Sequence, residues 1–190
     1  MQLLEAGELD VVFGRASWLG QRPTPRIKHR VVRYEALALL LPREHALARM
    51  PAIPVRDLAG LELDTNAASP EAHDWNDLMA QLLELTGARP TPPHLPAVGL
   101  QDQALHLVQQ GLPIVTTVDH VPVPGGVLRR IVEPVPMYVW SMLSRAGDRS
   151  SGVRALAEAA EGAARAWEWL DLPAAAWLPE PEAGGAPGTR

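Results

Sequence analysis

Cysteine is absent from this 190-residue chain, which excludes disulfides and thiolate chemistry and fits a reducing compartment. Lysine occurs once, as Lys28, and aromatic residues make up only 5% of the sequence, with a single phenylalanine. The formal charge of −5 and a pI near 5.7 exclude general attraction to polyanions, so no nucleic-acid footprint is expected over the whole. No apolar run approaches the roughly 18 residues that cross a bilayer, and no basic n-region with an apolar h-region follows Met1. A cytoplasmic chain without membrane contact is the expectation. Enzyme signatures are missing as well: there is no G-x-S-x-G elbow, no P-loop, no H-E-x-x-H pair and no G-x-G-x-x-G after a strand.

What is present is a globular pattern. Hydrophobic residues form 47% of the chain, enough for a sizeable core in one domain or two small lobes. The opening "MQLLEAGE" ends on Gly7 as a helix C-terminus does, and "LDVVFGR" reads as a strand buried on both faces. A helix that short is marginal alone, so the chain is expected to begin inside an α/β unit. A second apolar run, Leu37 to Leu41, stops at Pro42, and "VRDLAG" offers one helical turn closed by Gly60. In "SPEAHDWNDLMAQLLELTG", Ser69 suits the cap, Pro70 the first helical position and Gly87 the stop. Trp75, Leu78, Met79, Leu82 and Leu83 then form one buried stripe.

"LQDQALHLVQQG" predicts a further helix with Ala104, Leu105 and Val108 inward, followed by the β-branched strand "PIVTTV". "VLRRIVEPVPMYVWSMLSR" holds two extended pieces. Ser150 or Ser151 opens a last helix burying Val153, Leu156, Ala157, Ala160, Ala164 and Trp167. Alternating strands and helices point to an α/β fold with mostly parallel pairing. The boundaries expected are 1–38 for the first part of lobe one, 39–138 for lobe two, 139–170 for the return to lobe one, and 171–190 for a disordered tail. Crossovers near residues 35–42 and 135–142 would form a hinge.

Candidate chemistry is sparse. His73 and Asp77 lie one helical turn apart, but nothing nominates further ligands, so no metal or other cofactor is expected and the pair reads as structural. The basic group Arg22, Arg26, Lys28, His29, Arg30 and Arg33 fits a solvated edge strand as well as a phosphate site. Thr65, Asn66 and Ser69 lead into the start of the best helix, where unpaired N–H groups and the helix dipole favour an anion. Ser69 as a simple cap is the competing account. Arg15 follows the opening strand at its carboxyl end, where open α/β sheets bind ligands, or else it is a loop arginine in water. Thr116 and Thr117 line the same crevice or serve only as β-formers.

The order of pieces resembles the C-terminal effector-sensing domain of the LysR-type transcriptional regulators, from about Leu3 to Trp167. "LLEAGELDVVFG" is similar to the family's strand entry through Leu4, Gly7, Leu9 and Asp10. "YEALALLLPREHALARMPAIPVRDLAG" carries the most specific likeness, through Glu35, Leu41, Pro42, His45, Leu47, Ala48, Ile53, Asp57, Leu58 and Gly60. In "LHLVQQGLPIVTTV" the second glycine of the family's turn is Pro113, and Asp119 and His120 replace the usual leucine-proline.

The resemblance implies a periplasmic-binding-protein type 2-like fold, two lobes joined by crossover strands with a small inducer between them, and lobe one N-terminally truncated. It puts Thr65, Asn66 and Ser69 in a loop that contacts inducer and Thr116 near the other wall. It also implies a homo-oligomer, and DNA contact only through a winged helix-turn-helix that this sequence does not contain. The expected function is therefore sensing of a small anionic effector, most simply a carboxylate. A solute-binding protein of the same fold is the first alternative; a small enzyme is the second, disfavoured because no acid, base or nucleophile set assembles.

Overall fold

The computed structural model describes residues 2–16, 24–66, 72–92 and 99–185. Its elements in chain order are α1 (Gln2–Ala6), β1 (Val11–Gly14), β2 (Ile27–Pro42), β3 (Ile53–Pro54), β4 (Glu62–Leu63), α2 (His73–Thr86), β5 (Arg89–Pro90), α3 (Leu100–Gln110), β6 (Ile114–Thr117), β7 (Gly126–Val132), β8 (Val135–Arg145), α4 (Ser151–Ala166) and β9 (Ala176–Trp177). No helix among the described residues is long and apolar enough to cross a membrane.

Strand β2 organises the molecule by changing partners along its length. From Ile27 to Ala36 it pairs antiparallel with Arg145 to Met137 of β8. From Leu37 it pairs instead with β6 on one side, Leu37 opposite Thr117, and with β7 on the other, Ala38 opposite Arg130. The unbroken apolar run at 37–41 follows from this position, because alternate side chains enter different cores. Leu37, Leu39 and Leu41 join Leu78, Met79 and Leu82 of α2 in the main core, while Leu40 turns to Leu107 of α3, Ile114 and Val123. Each fully buried leucine contributes about 1.5–3 kcal/mol.

The other end of β2 has its own packing. Ile27 meets Leu4, Ala16 and Leu143; Val32 meets Met142 and Val153, with Ala157 and Ala160 of α4 alongside. Lys28, His29 and Arg30 stand exposed where β2 has only β8 beside it. Charges there discourage edge-to-edge pairing, and Arg30 reaches Glu161 of α4.

Several expectations change. Pairing is mostly antiparallel, because β2 and β8 run outward and back between the same two packed regions; the parallel pairs are β3–β7, β4–β5 and β8–β9, with a bridge from Asp64 to Ile114. β1 is the edge of the sheet order β1-β8-β2-β7-β3, so Phe13 is exposed rather than covered on both faces. Within the segment 171–190 expected as a tail that never folds, described residues are docked: β9 pairs with Val135 and Pro136, and Trp177 packs against the main core.

Helix α2 begins at His73 with Ala72 as a cap that makes no side-chain bond; Ser69, Pro70 and Glu71 lie outside the described residues. In α3 the inward residue is Leu107, whereas Leu105 and Val108 are exposed. In α4, Val153 and Ala164 are buried, but Leu156 and Trp167 are exposed. Other local readings hold, including Gly87 and Gly111 as left-handed helix ends and Ser150 as the α4 cap, its hydroxyl accepting from the Val153 N–H.

Candidate functional site

At the end of β1 the chain makes a close approach that only glycine permits comfortably: a Cβ on Gly14 would lie 3.1 Å from Oδ2 of Asp74 and 3.8 Å from the Tyr138 hydroxyl. The next residue, Arg15, is 1% exposed. A guanidinium has five N–H donors, and all are used here. Nη1 donates to Asp77 Oδ2 at 2.9 Å and to the Asp74 carbonyl at 3.0 Å. Nη2 donates to Glu182 Oε2 at 2.8 Å and to the Glu180 carbonyl at 3.1 Å, and Nε to Glu182 Oε1 at 3.4 Å. Glu182 is thus gripped by both oxygens, the geometry in which arginine holds carboxylates best. Burial pushes the Arg15 pKa down, but the bonds and charges of Glu182 and Asp77 outweigh it and leave the pKa above its ordinary value.

Helix α2 supplies one wall. Asp74, Asp77 and Gln81 follow one another at helical spacings of three and four, so they share a face. Gln81 Nε2 donates to Asp77 Oδ2 and to the Glu180 carbonyl, each at 3.0 Å, while its Oε1 accepts from the Glu180 N–H at 2.7 Å. Tyr138 donates its hydroxyl to Asp74. Burial, then the adjacent Asp74 carboxylate, pushes the phenol pKa well above its ordinary value.

An aromatic ladder carries the wall onto β8. Trp75 lies 6.1 Å from Tyr138 between ring centroids, and Tyr138 lies 4.6 Å from Trp140. Each polar handle is used, as buried aromatics require: the Trp75 indole donates to the Thr65 carbonyl at 2.7 Å, and the Trp140 indole to Glu35 at 2.7 Å. Asp64 anchors the same loop, accepting from the Asn66 N–H at 2.8 Å and pairing with His106 of α3 at 2.8 Å.

The candidate residues distribute as follows. Arg15 is buried beside Asp74 and Asp77 rather than loose in water. Thr65 is buried beneath the Trp75 indole, and Asn66 adopts a left-handed backbone with φ of 50°. Thr116 shares the face of Ile114, toward α3; it is Thr117 that shares the face of Val115 and the main core with Tyr138. Ser69 lies outside the described residues. Asp77, considered above with His73 for a metal, is instead bonded to Arg15 and Gln81, and the described residues hold no group of three or more side chains suited to a metal ion. Sequence reasoning missed Asp74, Gln81, Tyr138, Glu180 and Glu182. The spacing of Asp74, Asp77 and Gln81 on one helix face was the available signal for the first two.

On the other face of β2 and β8, where Ala36 stands opposite Met137, lies a cavity of about 420 Å³, lined by Tyr34, Ala36, Val118, Val135, Met137 and Trp169 among others. Arg33, at its rim, pairs with Asp119 and stacks on Trp169 at 4.9 Å. This cavity does not reach Arg15, where the space is filled by the chain's own residues 180–182.

Comparisons with known proteins bear on the family and the fold. The LysR substrate binding domain family matches residues 1–165. The reduced form of the OxyR regulatory domain from Pseudomonas aeruginosa is similar in structure, with a TM-score of 0.62 and 20% identity over 84% of this chain and 76% of that one. The effector binding domain of a BenM variant gives a TM-score of 0.70 at 20% identity over 88% and 77% of the two chains. Full-length CbnR, a LysR family transcriptional regulator, gives 0.65 at 22% identity over 86% of this chain but only 55% of its own. Among curated proteins, none matches the chain in sequence.

Proposed function

The chain belongs to the LysR substrate binding domain family, and we propose that it senses a small anionic effector, most simply a carboxylate, between its two packed halves and so controls transcription. The family is one of regulator domains, not of enzymes, and its α/β fold is of the type 2 periplasmic-binding-protein kind. One observation carries the reading of the ligand. Arg15, delivered by β1 from one half, is buried against Asp77 and the Asp74 carbonyl on α2 from the other, and its remaining three donors are spent on a carboxylate and a carbonyl that approach from outside both elements. A charge so placed recognises an anion and couples the halves at once.

On this proposal Arg15, Thr65 and Asn66 contact or frame the effector, and Thr117 lines the wall in place of Thr116. Binding acts by favouring one arrangement of the halves over another, since only differential affinity moves such an equilibrium. A homo-oligomer transmits the change in the cytoplasm. The chain spans 55% of full-length CbnR and 56% of full-length BenM; contact with DNA, named for CbnR in its complex with target DNA, is assigned to regions beyond the matched span.

Thermal unfolding against a panel of small carboxylic acids tests this. A binder at 100 times its dissociation constant adds about 2.7 kcal/mol, which raises Tm by about 5–10 °C in a chain of this size. The shift should vanish in Arg15→Lys, which keeps the charge but loses the planar fork. If no acid moves Tm, or if Arg15→Lys responds as the parent does, the proposal fails.

A further inference from the structure

The carboxylate already held by Arg15 comes from the chain's own C-terminal segment. Three of the five guanidinium donors close on that segment, two on the Glu182 side chain and one on the Glu180 carbonyl. Gln81 meanwhile grips the Glu180 backbone through both its N–H and its C=O. We propose that Glu180–Glu182 is a built-in occupant of the effector site, a carboxylate on a peptide backbone that an incoming carboxylate must displace. The inference rests on the reading of Arg15 as the effector's anchor.

The physical case is one of local concentration against weak anchorage. The segment is tethered at β9, where Ala176 and Trp177 pair with Val135 and Pro136, only a few residues before Glu180. Tethering keeps the carboxylate at high effective concentration without any added contact. Leu178 is half-buried and Pro179 buried, and from Glu180 onward the described hold consists of the bonds to Arg15 and Gln81 and a short turn in which the Ala183 N–H reaches the Pro179 carbonyl. Glu182 is also near the surface, with its side chain 12% exposed against 0% for Arg15, so it has an open path to water while Arg15 does not. Displacement by another carboxylate therefore exchanges like for like at the guanidinium and frees a short peptide. Arg15 reads the carboxylate, the group that a simple acid such as glutarate supplies, while Gln81 holds only the peptide backbone of the docked segment.

Competition lowers apparent affinity by the fraction of time the site is open. Glu182→Gln keeps the shape and removes the charge; Gln81→Ala removes the backbone grip and leaves Arg15 with both carboxylates. Hydrogen exchange at residues 180–185 and calorimetric titration with glutarate are read on the full chain in all three forms. The expected result is exchange faster by about tenfold or more in both variants, and glutarate bound about tenfold more tightly than by the parent chain. Unchanged exchange in both variants overturns the docked segment, whatever glutarate does. Faster exchange with glutarate affinity unchanged overturns the competition while a binding site for the acid stands. Failure of the effector reading itself has a different signature: the segment loosens in both variants, yet neither they nor the parent bind glutarate or any acid of the panel, and the competition falls with that reading.

Discussion

Replacing Arg15 with methionine keeps an apolar stem of similar reach and removes the guanidinium. Asp77, its side chain only 10% exposed, then faces a cavity where the guanidinium stood, with Gln81 Nε2 still donating to it. Removing one partner of a buried ion pair costs about 3–5 kcal/mol, because the other charge stays desolvated. Glu182 contributes little of this, since its segment can turn outward and hydrate. Asp77 is fixed on α2 and cannot, which puts the expected loss near the lower end, about 3 kcal/mol. Urea unfolding should report that loss as a lower midpoint at unchanged slope, the sign of altered stability rather than altered compactness. The companion change, Arg15→Met with Asp77→Leu, removes the stranded charge and should recover more than half of the loss. A single variant that loses less than about 1 kcal/mol, or a double variant no better than the sum of its parts, would refute the buried-pair account.

Other outcomes follow from the same packing. Leu82→Ala, at a fully buried position in the main core, should cost about 2–5 kcal/mol in chemical denaturation; a loss under 1 would mean the core collapses around the gap. Gly126→Ala brings a Cβ to 2.7 Å from Leu40 Cδ1, 3.1 Å from Leu107 Cδ1 and 3.2 Å from the Val123 carbonyl, and the overpacking should cost about 1–3 kcal/mol. Burial lowers the His45 pKa from its ordinary 6.5, and Nδ1 accepts from the Leu47 N–H at 3.2 Å. Because the folded value is depressed, this stability is complete above pH 6.5 and declines as pH falls through the folded value. His45→Asn, a cap that does not titrate, should flatten the difference in urea midpoint between about pH 7 and about pH 5. Tyr138 is raised above its ordinary 10.0, so stability is lost as pH rises past that value; Tyr138→Phe should show a shallower alkaline loss, and phenolate absorbance that appears before unfolding in Tyr34→Phe, where Tyr138 is the one tyrosine left, would count against the burial argument.

Much of the fold was written in short-range signals. Gly87 and Gly111 end their helices in the left-handed conformation because a residue without Cβ meets no penalty there. The stripe Leu78, Met79 and Leu82 is buried because helical periodicity puts it on one face. The apolar run that stops at Pro42 and the extended piece near residues 135–142 anticipated strands that the structure forms as β2 and β8. Where the sequence misled, the cause was a partner it does not contain locally. Val108 fits a helical stripe, yet it is 78% exposed because α3 meets β2 through Leu107 instead. Thr116 and Thr117 are equally good strand residues, and only the register against Leu37 and Ala38 separates their faces.

The glycine ends of α2 and α3, the Ser150 cap of α4 and the buried stripe of α2 thus belong to the linear order of side chains, since backbone sterics and periodicity act over a few residues. The fate of Arg15 does not. Its charge is balanced by Asp77, 62 positions away, and by Glu182, 167 positions away, and a polar stretch rich in proline and alanine gives no local sign that it will close on a buried cation. Chain folding brings those groups within hydrogen-bond reach, and once water is excluded a guanidinium left without partners costs several kcal/mol.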